Sequence, residues 1–130
     1  MTIQDLQACR CIRSEIESLE ERILRLRSQA ERTTRQLSKT PRGEQRDYLA
    51  NYVARLDGLE RQLAAKVIAL EEHLAGVDRW IEQLPEQQAM VMRARYVEGL
   101  KWWQVAIQTS YSMAHCKTIN TTIKQKLNTK

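Results

Sequence analysis

The chain of 130 residues contains no phenylalanine, only four glycines and only two prolines. So few turn-forming residues leave little material for the many tight turns of a sheet-rich fold, and they favour helices. The aromatic content of 5% is low as well. We therefore expect an all-α protein whose long helices meet along a thin apolar seam.

Long hydrophobic runs are also missing, because charged residues interrupt every apolar segment. We expect neither a transmembrane segment nor a secretory leader, and no membrane partner. Three cysteines, an odd number, are typical of a protein in a reducing compartment, here the cytoplasm of a bacterial host cell. Cys9 and Cys116 are expected in the core and Cys11 at the surface.

Sites for chemistry are absent from the sequence as well. Cys9, Cys11, His115 and Cys116 are the candidate metal ligands, but residues one or two positions apart on a helix diverge, so we expect no metal site. No catalytic Ser, His and acid arrangement, phosphate-binding glycine loop or paired-carboxylate cluster emerges. We expect no enzyme activity and no cofactor.

Two apolar stripes with steps of three and four occupy residues 9–37 and 49–84. Pro41 and Gly43 lie between them and are expected to interrupt the helix. Matched lengths and a short connection predict a long antiparallel coiled-coil helical hairpin.

This hairpin is assigned to residues 1–84, with its break near residues 38–44. Two helices alone have little interior, so we expect self-association through the coiled coil, most simply as a homodimer. Whether the helices pair within one chain or between chains stays open.

Residues 85–130 predict a small domain of three helices. Pro85 suits a first helical position, Gly99 ends the first helix, and Ser112 can cap the third, at about residues 112–128. A short second helix fits residues 101–109. Helical spacing assigns these residues to the inward faces: Met90, Val91, Ala94, Trp102, Val105, Ala106, Thr109, Cys116, Ile119, Ile123 and Leu127.

The outward face of the third helix carries no acid, and its members are Ala114, Lys117, Thr118, Thr121, Lys124 and Gln125. Small residues near the start would let the helix approach a groove, while Lys, Thr and Gln supply donors for phosphates and base edges. Residues 85–130 hold seven basic and two acidic residues, so in effect they carry the whole net charge of +5. Such a balance favours a polyanionic partner.

A family resemblance rests on the run Arg95-Tyr96-Val97-Glu98-Gly99, followed by Trp102, Val105-Ala106 and Tyr111-Ser112. This pattern resembles sigma-factor region four. Nearly the whole chain is similar to phage-type transcriptional regulators that carry such a domain behind a coiled coil, the group of ArpU-like late-operon activators. The resemblance implies a helix-turn-helix whose Ser-capped helix enters the major groove, while the helix before it lies over the phosphates.

By this resemblance, Met113, Ala114, Lys117 and Thr118 would lie near the bases and Lys101, Trp103 and Gln104 near the backbone. The family usually has basic residues directly after the capping Ser, and a Leu-Gly turn where this chain has Thr109-Ser110. The third helix contains no Arg, so it cannot make Arg-to-guanine contacts. These departures predict altered or weakened sequence readout on the same fold.

The predicted function is a phage or prophage DNA-binding transcriptional regulator, with double-stranded DNA as its partner and the coiled coil for oligomerisation. Trp103 is the candidate contact for a protein partner such as RNA polymerase or a sigma factor. The predicted DNA-binding residues are Lys101, Gln104, Ser112, Met113, Ala114, Lys117, Thr118, Thr121 and Lys124.

Two alternatives remain open. One is an interaction factor that binds RNA polymerase or a sigma factor without strong DNA readout, which Met113 and Ala114 support. The other is a small terminase-like DNA-packaging subunit, which also combines a helix-turn-helix with an oligomerising coil. Ring-sized oligomers would favour the packaging subunit.

Overall fold

A computed structural model describes residues 1–128, whose regular secondary structure is entirely helical. The prediction of an all-α protein is confirmed for this part of the chain, while the last two residues of the predicted range 85–130 lie outside it. The elements are α1 (Ile3–Gln36), a 3-10 turn (Leu37–Lys39), α2 (Arg42–Ile81), α3 (Glu86–Met92), a π-helical turn (Arg93–Val97), α4 (Trp102–Thr109) and α5 (Met113–Asn128).

Local sequence explains where the two long helices begin. The Asp5 backbone N–H donates to Thr2 Oγ1 over 3.2 Å, and the Thr2 N–H donates to Asp5 Oδ2 over 2.9 Å, which satisfies two free donors at the start of α1. The Thr2 backbone N–H and the Thr2 hydroxyl both donate to Asp5 Oδ2, and these two bonds lower the pKa of Asp5. Pro41 lies directly before α2, where its missing N–H costs nothing. Gly43 was expected to break the helix, but it lies in the first turn of α2.

The helices contribute to two compact units, of which one comprises residues 14–68. Ion pairs join Arg27 to Glu60 at 2.9 Å and Glu15 to Lys66, so within this unit the two helical segments run in opposite directions. The buried residues are Leu19, Ile23 and Ala30 of α1, faced by side chains of α2 that are only half-buried. This small number of buried residues agrees with the expected thin apolar seam between the long helices.

Leu49 and Val67 were expected on the buried stripe of α2, but both side chains are exposed. Each lies about 60° of helix rotation from the centre of the buried face, given 3.6 residues per turn. They therefore lie at the edge of the seam or outside it.

The other unit comprises residues 1–13 and the chain from residue 69 onward. The core of this unit takes residues from α1, α2, the α3 region and α5, namely Leu6, Cys9, Val77, Ile81, Met92, Tyr96 and Ile123. A second cluster consists of Val91, Ala94, Val105 and Cys116. The first turns of α1 thus share a core with segments that lie between Val77 and Ile123, far later in the chain.

Most of the predicted inward residues of α3 to α5 are buried or partly buried in these clusters. Met90 is the exception, since it is exposed, whereas the neighbouring Met92 is fully buried. The expected placement of the cysteines is confirmed: Cys9 and Cys116 are buried and Cys11 is exposed. Burial raises the pKa of the Cys9 thiol.

A buried hydrogen bond ties the π-helical turn to α5. The Tyr96 hydroxyl donates to Asn120 Oδ1 over 2.8 Å, and both side chains are buried. Burial raises the pKa of Tyr96. Because buried polar groups are costly without partners, each residue requires the other.

Within residues 1–128, no helix is long and apolar enough to cross a membrane.

We expect Tyr96→Phe to destabilise the protein by about 1–3 kcal/mol, because it leaves Asn120 Oδ1 buried without its donor. Urea unfolding should show a lower midpoint with an unchanged slope. Tyr111→Phe is the matched control, and its midpoint should equal that of the native chain. The substitution removes only the hydroxyl and keeps the aromatic ring that meets His115 edge-on. Equal midpoints for Tyr96→Phe and the native chain would contradict the structural role of this bond.

Candidate nucleic-acid interface

The candidate interface consists of α4, the turn after it and α5. The start of α4 is capped by a side chain from its first turn, because Gln104 Oε1 accepts the backbone N–H of Lys101 over 2.9 Å. Gln104 was predicted near a DNA backbone. Its carbonyl oxygen fixes the start of the helix, so a contact to DNA would use the amide nitrogen of the side chain.

The bend before α4 requires glycine at position 99. Gly99 has φ +73°, a left-handed conformation that other residues adopt only with strain. A Cβ on Gly99 would also lie 2.7 Å from Arg13 Nε. The Arg13 guanidinium is held there by donating Nη2 to the backbone carbonyls of Tyr96 and Val97. Gly99 is thus required by its backbone angle, while the flexible Arg13 side chain that lies against it could shift.

Arg95 also stabilises the fold. Its side chain is only 8% exposed, its guanidinium carbon lies 4.3 Å from the centre of the Trp102 ring, and its Nη1 donates to the Leu100 carbonyl over 2.9 Å. This stacking holds the bend against the first turn of α4. Trp102 packs against the core as predicted, and Arg95 is not available to a ligand.

The turn between α4 and α5 uses serine where glycine is common. Ser110 has φ +63° and ψ 18°, the left-handed conformation that ends α4. Thr109 precedes it, with a buried hydroxyl that donates to the Val105 carbonyl over 2.8 Å. Thr109-Ser110 therefore makes a tight turn despite the absence of glycine.

Ser112 caps α5 as predicted. Its Oγ accepts the backbone N–H of His115 over 3.1 Å, which leaves its hydroxyl proton as a donor at the exposed start of the helix. Met113 and Ala114 follow and are exposed. The start of α5 therefore presents one hydroxyl and two apolar side chains to solvent.

The threonines of α5 present a different chemistry from the one expected. Thr118 Oγ1 donates to the Ala114 carbonyl, and Thr121 Oγ1 donates to the Lys117 carbonyl, both over 2.9 Å. Each hydroxyl proton is used within the helix. Thr118 and Thr121 thus offer methyl groups and acceptor oxygens rather than the donors that the sequence suggested.

The outward surface of α4 and α5 is free of acids, since neither helix contains Asp or Glu. Lys101 and Lys117 are exposed and Lys124 is half-buried. Glu98 lies nearby, and its carboxylate accepts the Gln108 side-chain amide over 2.7 Å. The exposed part of α5 is therefore a positively charged face with methyl groups along its centre.

Among the predicted DNA-binding residues, α5 and its cap bring together Ser112, Met113, Ala114, Lys117, Thr118, Thr121 and Lys124. Lys101 and Gln104 lie apart from these, at the start of α4. Asn120 and Arg13 were missed as residues that position the site. The inward helical spacing of Asn120 could have shown it as a buried polar residue, whereas nothing in the sequence singled out Arg13.

A second surface feature lies on α4. Trp103 is 55% exposed and Ile107, one turn later on the same face, is 71% exposed. Trp103 was predicted as a partner contact, but Ile107 was missed because an isolated apolar residue gives no signal of exposure. Together they form an apolar patch on the protein surface.

Within residues 1–128, no group of three or more His, Cys, Asp or Glu residues is placed to hold a metal ion. Comparison with known proteins shows that residues 11–129 match the family described as protein of unknown function (DUF722). No curated protein matches the chain, and no solved structure matches it.

We expect opposite effects from two neighbouring serines. Ser110→Gly relieves the left-handed strain and should stabilise the protein by about 0.5–1 kcal/mol, whereas Ser112→Ala removes the cap and should cost about 1 kcal/mol. Thermal and urea unfolding measure both changes. A destabilising Ser110→Gly substitution would show that the serine side chain, and not the backbone angle, determines this turn.

Proposed function

We propose that this chain, which belongs to the DUF722 family, is a DNA-binding transcriptional regulator of phage or prophage type. In this proposal α4, the turn at Ser110 and α5 form a helix-turn-helix, and α5 enters the major groove. The long helices form a coiled-coil hairpin that joins two copies. The protein acts by binding and not by catalysis.

The observation that carries the proposal is the exposed face of α5, which lacks acids and carries Lys117 and Lys124 beside small side chains. A helix of this kind can approach a groove closely while its lysines meet the phosphates. Lys101 at the start of α4 would add a contact to the backbone. The resemblance to sigma-factor region four supports the same orientation.

The chemistry of α5 also indicates how it would read bases. Ala114, Thr118 and Thr121 present methyl groups, and apolar side chains of this size contact the methyl group of thymine in the major groove. The two threonine oxygens can accept hydrogen bonds from the amino groups of adenine or cytosine. The helix has no Arg for guanine. The proposed target is therefore a thymine-containing duplex recognised largely by shape and methyl groups.

A second candidate function is favoured by Trp103 and Ile107, whose exposed apolar patch fits a protein partner such as RNA polymerase or a sigma factor. An interaction factor of this kind would not need strong DNA readout. Failure to bind duplex DNA would favour it over the regulator.

Binding to a labelled duplex should weaken at least roughly 40-fold between 50 and 200 mM salt, because Lys101, Lys117 and Lys124 would release counterions from the phosphates. Lys117→Ala should weaken binding and reduce the slope of log affinity against log salt by about 1. Lys39→Ala is the matched control, since this exposed lysine lies outside the interface. Salt-insensitive binding, or no binding at 50 mM salt, would overturn the proposal.

Replacing dT by dU in a duplex selected by the purified protein should weaken binding about 4-fold for each thymine methyl group that the protein buries. Thr118→Ser keeps the hydroxyl and removes the methyl group. If Thr118 contacts a thymine, this variant should bind the dT and dU duplexes with a smaller difference than the native chain does. Equal affinity of the native chain for both duplexes would contradict methyl readout while leaving phosphate binding intact.

A further inference from the structure

A surface stripe on α2 packs against no other helix of its own unit. Arg46, Ala50, Val53 and Asp57 follow one another at steps of four, three and four, so they lie on one side of the helix. Leu49 and Ala54 flank them. We call these six residues the outer stripe of α2, and all of them are exposed.

The outer stripe faces away from the seam of its unit. The seam side of α2 includes the half-buried residues Tyr52, Leu56, Leu59 and Leu63. On the outer stripe, Leu49 is 48% and Val53 60% exposed. The six residues line a shallow depression on the surface. Exposed apolar residues at this spacing are typical of a helix that packs against another helix.

The order of side chains along the stripe indicates which helix would cover it. The basic residue Arg46 stands at one end and the acidic residue Asp57 at the other. The small residue Ala50 and the larger apolar residue Val53 lie between them. The geometry points to an antiparallel α2–α2 contact between two copies of this chain, related by a twofold axis that crosses the outer stripe midway between Ala50 and Val53. Arg46 of each copy then meets Asp57 of the other, and Ala50 meets Val53.

This pairing satisfies both charge and shape. Alanine opposite valine lets two helices approach closely, and the two Arg–Asp contacts lie at equal distances from the axis. A parallel pairing would instead place Arg46 opposite Arg46 and Asp57 opposite Asp57. Asp57 already accepts Arg61 of its own helix over 3.0 Å, on an exposed surface, so each end of the contact would become a three-residue charge network.

The overlap has a limited length. Because α2 begins at Arg42, a contact centred near residues 51 and 52 extends to about Arg61, or roughly 30 Å of helix at 1.5 Å per residue. An interface of this size is small, so we expect dissociation in the micromolar range. The inference rests on the oligomerisation part of the proposed function and names its surface, but it does not require DNA binding.

The test is the mass of the full chain by sedimentation equilibrium over micromolar concentrations without DNA. The native chain should be a reversible dimer. Val53→Asp should raise the dissociation constant at least 10-fold, because it places a charge opposite Ala50. Asn51→Asp introduces the same acid at an exposed position of α2 outside the stripe and should leave the mass unchanged.

A charge exchange tests the direction of pairing. Arg46→Glu alone should raise the dissociation constant about 10-fold, and Arg46→Glu combined with Asp57→Lys should restore it to within about 3-fold of the native value. Circular dichroism of each variant verifies the helical fold, which substitutions at these exposed positions should leave intact.

A monomeric native chain, a ring-sized assembly, a dimer unaffected by Val53→Asp, or a charge exchange without recovery would each overturn the proposal. A dimer that binds no duplex would leave this contact standing and refute the proposed function alone. Duplex binding by a monomer would leave the proposed DNA binding standing, and it would refute both this contact and the joining of two copies.

Discussion

The buried hydroxyl of Tyr96 is the constraint on which the orientation of α5 depends. A phenolic O–H inside a core must have an acceptor, and Asn120 supplies it at 2.8 Å. This bond and the buried residues Cys116 and Ile123 together fix the rotation of α5 about its own axis. With Asn120 facing inward, helical periodicity turns Thr118 and Thr121 toward solvent, with Lys117 and Lys124 at the border. The character of the outer face thus follows from the inward face, to which this polar contact belongs.

The residues that carry the family resemblance mainly stabilise the fold. Arg95 stacks on Trp102, Tyr96 bonds Asn120, and Gly99 takes a left-handed angle beside Arg13. All of these contacts lie within the unit that comprises residues 1–13 and the chain from residue 69 onward. The groups that make them are occupied in the fold and do not face a ligand. The resemblance therefore concerns the bends and packing around α4, and the proposal of DNA binding depends instead on the outward residues of α5.

Several elements could be predicted because their signals are local. Ser112 precedes a helix and caps it, Gly99 ends one, and the inward stripes of α4 and α5 follow from spacing alone. Other features depend on distant partners and gave no local signal. The guanidinium of Arg13 reaches carbonyls more than 80 residues later, and the apolar stripe that contains Leu6 and Cys9 does not reveal which helices cover it.

By itself, the sequence determined the helical class, the basic and acid-free character of α5 and the positions of its main bends, because periodicity, charge and capping act over a few residues. Only the tertiary structure decided which side chains are covered and which distant groups meet. Asn120 faces the core because its side chain accepts the Tyr96 hydroxyl, and the Arg13 guanidinium lies against the bend before α4 because it bonds distant carbonyls. Leu49 belongs to the apolar stripe of α2, yet it is exposed. Such outcomes depend on which atoms meet in space, and the order of residues along the chain does not specify that.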